Sequence, residues 1–372
     1  MIFFNPSVEA DIKFPPPSRL PMEFHRRLPA YATTPLHSLS SLAEELGVGK
    51  VFVKDESFRL GLPAFKILGA SWATYREFCE RHPELVHGWL TIDELAARIY
   101  DSPVLFAATD GNHGRAVART ARLFGLRSRV FVPKGTAQAR IAGIESESAA
   151  VSIVDGTYDH AVAIAAREAV ACSGIHIQDN SWPGYEKTAR FVVEGYSTMM
   201  WEIDQQLRER NETDPTHVLV QIGNGSFADA VIRHYRAKEH QPIIVGVEPE
   251  SAACLLESVK AGKMTKAPGP HCSMMVGMNC DSPSLISFPI IRQGMNCFVS
   301  IPDEPAKEAM RMFKRCNISS GETGAAGLGA LLEMLSDDSD ARKRLALDAD
   351  SRVLLFSTEG ITDPEMYQRI IG

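Results

Sequence analysis

The chain has 372 residues, 45% hydrophobic and 23% charged, with 39 Lys and Arg against 46 Asp and Glu. A formal charge of −7 without a basic stripe argues against a nucleic-acid partner, and this length predicts two domains around sizeable cores. Seven cysteines, an odd number with no C-x-x-C, argue against a disulfide scaffold or zinc ribbon and leave no metal set.

Along the chain, the opening MIFFNPSVEADIKF lacks a basic n-region and carries early acids, so no export signal is expected. No apolar run approaches the roughly 20 residues that span a bilayer, and a cytoplasmic protein without a membrane partner is the expectation. The Pro-rich stretches FPPPSRLP and ATTPLHSL are predicted to wrap the surface ahead of a short helix near SLAEELG. Thereafter strand-like runs alternate with helical patterns. The strand candidates are KVFVKDE, VLFAAT, SRVFVP, AAVSIVD, IHIQD, HVLVQI, PIIVGVE, NCFVSI and RVLLFST. Helices are predicted over HGRAVARTARLFG, YDHAVAIAAREAVACSG and DPEMYQRIIG. The alternation implies βαβ units, mainly parallel sheets flanked by helices, and nine strands favour two α/β domains. Residues 81–102 read as a polar insertion, and the Gly-, Pro- and Met-rich tract 260–284 reads as a long loop of the kind that often serves as a lid.

Four places carry candidate chemistry. In RLGLPAFKILGASW, Lys66 stands between Ala64-Phe65 and Ile67-Leu68 at a helix start. Either its stem snorkels to water, or the site wants an amine that is easily deprotonated. In AATDGNHGRAVA a strand runs into Thr109-Asp110-Gly111-Asn112-His113 and a helix, which is either an ordinary βα turn or a ligand site at the carboxyl end of a strand. His113 there reads first as a structural helix-start residue. In HVLVQIGNGSFADAV, Gly223, Asn224, Gly225, Ser226 and Phe227 open a helix and suit a phosphate. Gly223, Gly225 and Ala228 also fit a permissive dinucleotide fingerprint, with Glu248 closing the next strand, so a nicotinamide dehydrogenase competes. In LLFSTEGITDPEMY, Ser357 and Thr358 end a strand, either as ligand hydroxyls or as caps, and Thr362 or Asp363 starts the last helix. The small residues of SSGETGAAGLGALLEML read as helix packing.

Taken together, AFKILGA, ATDGNHGRAVA, IQDNSWPGYEKTARFVVEGYSTM, VGVEP, SGETGAAGLGAL and STEGITD give the chain its resemblance to the fold-type II pyridoxal-phosphate enzymes. This is the tryptophan synthase β and threonine dehydratase group, and within it the chain is most similar to the diaminopropionate ammonia-lyases. The likeness runs from about residue 30 to the C-terminus. It implies a two-domain fold, with 1–80 and 188–372 forming a large cofactor-binding domain and 81–187 a small α/β domain. It implies pyridoxal 5'-phosphate joined to Lys66, Asn112 at the cofactor's phenolic oxygen and the amides of Gly223, Asn224, Gly225, Ser226 and Phe227 on its phosphate. Thr358, with Ser357 as the fallback, then meets the pyridine nitrogen.

Thr109, Asp110, Gly111 and Asp179 fall to a small amino-acid substrate, with Lys66, Asp110 and Asp179 catalytic. The implied reaction is elimination of ammonia from 2,3-diaminopropionate, giving pyruvate, in a homodimer. The alternatives are another β-eliminating or β-replacing enzyme of the same fold, resembling serine/threonine dehydratase or cysteine synthase, and a non-catalytic relative. The phosphate loop is less glycine-rich than usual, with Phe227 and Asp229 where small neutral residues are common, and this supports the last. The resemblance also sets Cys254 and Cys280 where the family can have a pair; free thiols are expected.

Overall fold

Val- and Ile-rich runs extend because β-branched side chains fit a pleated, buried surface. In chain order they give β1 Ile2–Phe4, β2 Leu36–Ser38, β3 Lys50–Asp55, β4 Leu105–Ala108, β5 Ser128–Pro133 and β6 Ala150–Val154. There follow β7 Ile175–His176, β8 His217–Gln221, β9 Ile243–Pro249, β10 Cys297–Ile301 and β11 Arg352–Ser357. The structure is a computed structural model and describes residues 1–9, 11–336 and 340–372. It divides into two compact units: residues 1–18, 33–58 and 199–372, and residues 19–32 and 59–198.

The first unit holds a seven-stranded sheet in the order β1-β10-β9-β8-β11-β3-β2. Its five inner strands are parallel, and β1 and β2 add antiparallel at the two edges. β8 and β10 are buried along their whole length, as the inner strands of a covered parallel sheet must be. The core collects Val51, Val53, Leu219, Val245, Val247, Val353 and Leu355 with the helices Asp303–Arg315 and Glu322–Leu335. The latter two helices lie close because Gly329 has no side chain to meet the Pro305 and Ala306 backbone. Tract 260–284 is irregular but anchored, which departs from a free lid. Met275 and Met278 enter the core, Ser273 Oγ donates to Asp303 (2.5 Å) and Gly277 N donates to Thr323 Oγ1 (3.2 Å).

The second unit holds the parallel sheet β6-β5-β4-β7. The helices Lys66–Arg81, Asn112–Leu123 and Tyr158–Ala171 pack within it, around Phe106, Ala108, Val130, Val132 and Ala161. Lys66–Arg81 groups here, packed on the helix Asn112–Leu123, and not with the first unit to which the sequence reading assigned residues 1–80. Residues 81–102 are less polar in effect than they read: Leu85, Trp89, Ile92 and Leu95 are buried around a 3-10 turn and a short helix, Ile92–Ala96.

Candidate active site

Lys66 is the first residue of its helix, and its surroundings depend on a close helix crossing. A Cβ on Gly195 would lie 2.4 Å from Leu68 O, and one on Gly69 would lie 2.6 Å from the Tyr196 ring. Only glycine at both places lets the helix beginning at Lys187 come this near. The crossing sets Tyr196 against Phe65 (centroids 4.8 Å apart) and puts the Lys66 ammonium 5.8 Å from the Tyr196 ring centre and 5.3 Å from that of Phe65.

The apolar setting read from sequence is therefore present, but incomplete. Lys66 Nζ donates to Asp179 Oδ2 at 2.5 Å, with side-chain exposures of 21% and 6%. A carboxylate in that position stabilises an ammonium, opposite to the effect of burial among rings. A neutral amine at position 66 requires that proton to leave, and Asp179 is the acceptor in direct contact with it.

Asp179 is held by the residue before it. Beyond the two-residue β7, Gln178 extends the pairing with β4 through its side chain: Ala108 N donates to Gln178 Oε1, and Gln178 Nε2 donates to Ala108 O, both at 3.1 Å. Gln178 Nε2 also reaches Tyr158 Oη, and Tyr185 Oη accepts from Gln178 N and donates to His176 O. An amide imitating a peptide unit so fixes the step from β7 to Asp179 beside the carboxyl end of β4.

That end of β4 carries Thr109 and Asp110. The buried Thr109 hydroxyl accepts from Gly111 N (2.9 Å) and shapes the turn. Gly111 caps the helix, with Asn112 its first residue rather than its cap. Burial pushes the Asp110 carboxyl up to about 6; the Arg140 charge opposes this and the Asp179 charge adds to it. His113 is buried and held below its usual value, by burial first and by the Lys66 charge, with Asp179 pulling the other way. Its Nε2 lies 2.9 Å from Ile177 O, which as an acceptor requires the proton on Nε2, and its Nδ1 faces Asp179 Oδ2 at 3.9 Å. The sequence reading gave His113 a structural role and passed over Tyr196. The adjacency of His113 to Asn112, and the Gly195-Tyr196 step, were the signals available.

In the first unit, β8 leads through Ile222 into the glycine loop and the helix Ser226–Tyr235. Gly225 has φ of 101°, and a Cβ there would lie 2.6 Å from Ile291, so the loop demands glycine. The Gly223 and Gly225 amides have no carbonyl partner among the described residues. Ser226 N donates to Asn224 Oδ1 (3.0 Å), closing the loop on itself. Phe227 packs edge-on against Phe356 (5.2 Å), and Asp229 accepts from Arg233 (2.6 Å). Both side chains thus have structural employment. At the end of β11, Ser357 Oγ donates to Ser320 Oγ (2.9 Å), whereas Thr358, 2% exposed, has a buried hydroxyl without a partner among the described residues. Asp363, not Thr362, caps the last helix through Met366 N. Glu248 accepts from Leu255 N and Leu256 N, both at 2.8 Å, so the acid a dinucleotide ribose needs is consumed by backbone. Among the described residues Cys254 and Cys280 form no disulfide, nor do the other cysteines.

The model of the family described as "Pyridoxal-phosphate dependent enzyme" matches residues 27–359. The diaminopropionate ammonia-lyase of Salmonella typhimurium is 39% identical over 94% of this chain and 90% of its own. That of Escherichia coli K12 is 35% identical over 95% and 91%. The crystal structure of the Escherichia coli enzyme "in complex with aminoacrylate-PLP azomethine reaction intermediate" superposes with a TM-score of 0.92 at 32% identity, covering 100% of this chain and 96% of that one. The chain belongs to the fold-type II pyridoxal-phosphate-dependent enzymes, in the family of the diaminopropionate ammonia-lyases.

Proposed function

We propose that this chain eliminates ammonia from 2,3-diaminopropionate, leaving pyruvate and a second ammonia, with pyridoxal phosphate held through Lys66. The observation that carries the reading is the Lys66–Asp179 pair at 2.5 Å, with the Asp110 carboxyl in the same unit and within electrostatic reach of Asp179. The 39% identical relative supports the substrate.

The residues fit the cofactor. Thr358 offers the one buried hydroxyl of the Ser357-Thr358 pair that is still unpartnered, suited to a pyridine nitrogen. The loop Gly223, Asn224, Gly225, Ser226 and Phe227 opens a helix whose partial positive end favours a phosphate. Asn112 takes the phenolic oxygen. When bound, the cofactor withdraws electrons from the substrate's Cα and makes its proton removable.

The chain supplies the rest. Lys66 removes the Cα proton on one face and Asp110 on the other; general-base steps of this kind contribute about 10²–10⁴-fold. Asp179 exchanges a proton with the Lys66 amine. Once Asp179 has released that proton to water it is a carboxylate again and attracts the substrate's second ammonium, which departs as neutral ammonia as its C–N bond breaks. His113, hydrogen-bonded through Nε2 to Ile177 O, lines the inner side of Asp179, with its Nδ1 3.9 Å from Oδ2. Thr109 and Gly111 shape the turn that presents Asp110. The family relationship supports a homodimer and a cytoplasmic location; among the described residues no helix is long and apolar enough to cross a membrane.

The test is pyruvate release from D- and L-2,3-diaminopropionate, serine, threonine and O-acetylserine. Turnover of a diaminopropionate enantiomer well above the others is expected, with Asp110→Asn hurting the D substrate more than the L. Turnover of hydroxy or acetoxy substrates alone would overturn the reading.

A further inference from the structure

Away from Lys66, the second unit contains a cavity of about 520 Å³, the size of a small-molecule site. Its lining includes Phe24, Trp72, Tyr75 and Trp89, four buried rings that pack on one another; Phe24 and Tyr75 stack at 4.7 Å and Tyr75 meets Trp89 edge-on at 5.5 Å. Such walls suit a flat or bulky apolar body. They do not suit a cationic head. Arg27 already lies over Trp89 (4.6 Å) and Arg76 over Trp72 (5.5 Å), so those ring faces have their cations.

The polar part of the lining is more selective. Glu23 lies in the short helix Leu20–His25 and Arg27 just beyond its C-cap, near enough in sequence for acid and base to pair. Here they do not. Arg27 spends one donor on Trp89 O (3.2 Å) and keeps the others of its fork, and the Glu23 carboxylate has no partner among the described residues. The remaining charged groups are committed, with Arg76 3.8 Å from Glu80 and 3.5 Å from Glu194. The cavity therefore offers one carboxylate, one guanidinium and an aromatic box.

We propose that this cavity is a second ligand site, which takes a free amino acid with an aromatic or similarly bulky apolar side chain. The α-carboxylate meets Arg27, the α-ammonium meets Glu23, and the side chain enters the box. Trp72 and Tyr75 belong to the helix that begins at Lys66, with Trp72 about 9 Å along its axis from that residue. The occupant thus touches the element that carries the reactive amine without using it.

The probe is L-phenylalanine, titrated into the holoenzyme by calorimetry while the cofactor's absorbance is followed. The proposal expects saturable binding of one molecule per chain with no change in absorbance. Phenethylamine and 3-phenylpropionate, each lacking one charge, should bind about tenfold or more weaker, as should L-phenylalanine to Glu23→Gln or Arg27→Met. Glu23 is exposed, so its variant should fold and release pyruvate as the parent does even if Arg27→Met does not fold. Absence of heat, binding that perturbs the cofactor spectrum, equal affinity for the single-charge analogues, or undiminished binding to Glu23→Gln would each overturn the proposal.

Discussion

Asp110 keeps its proton to about pH 6 because the fold takes its carboxylate out of water and sets Asp179 within electrostatic reach. As a base it must be ionised, so kcat/KM for the substrate enantiomer it serves should rise with pH through about 6, and Asp110→Asn should abolish that rise. The same shift bears on stability with a definite sign. The folded value lies above the ordinary 3.8, so ionisation weakens the fold: the penalty is absent below pH 3.8, grows between, and is complete above about 6. Asp110→Asn should therefore melt at a higher temperature than the parent at pH 8, by the equivalent of about 1–3 kcal/mol, and at the same temperature near pH 3.5. A variant equally stable at both pH values would show that the carboxyl is well solvated. This is stability given up for a usable base.

At the scale of elements, placement of Asp179 depends on β7, which is two residues long and needs the Gln178 amide to continue its pairing. Gln178→Ala leaves Ala108 N and O unsatisfied in a buried place and should cost about 2–4 kcal/mol in denaturant unfolding, with a fall in turnover because Asp179 is released. Gln178→Glu, which keeps an acceptor but loses the donor, should restore less than half of the loss. In the glycine loop, Gly225→Ala meets Ile291 and a backbone conformation that costs a side chain about 1–3 kcal/mol, so cofactor should dialyse away faster than from the parent.

The nine strand runs were legible because each is a compact apolar stretch between helical patterns, and each turn bearing Lys66, Asp110 or Gly225 follows a strand or opens a helix. β1 and β2 were not: three residues each, in Pro-rich sequence, they are strands only because a sheet edge recruits them. Nor could periodicity reveal the Lys66–Asp179 pair, 113 positions apart and made where Gln178 sets Asp179 beside the end of β4.

For the whole molecule, two α/β units with separate cores follow from length and from the count of parallel strands, but the chain's route between them did not. Residues 19–32 join the second unit because Phe24 packs into its ring cluster and His25 meets Leu68 O (2.9 Å) and Thr198 (2.7 Å), contacts no local pattern announces. The cofactor itself is a stability term for the folded chain. At 100 times its dissociation constant it adds about 2.7 kcal/mol, so the melting temperature should fall on its removal and return on adding pyridoxal phosphate, which calorimetry would follow. A melting temperature indifferent to the cofactor would mean that it is not held. Borohydride reduction of the holoenzyme, followed by peptide mass mapping, is the most direct test of the account. A single pyridoxyl group on the Lys66 peptide is the predicted result, and an unlabelled protein, or a label on another lysine, would contradict it.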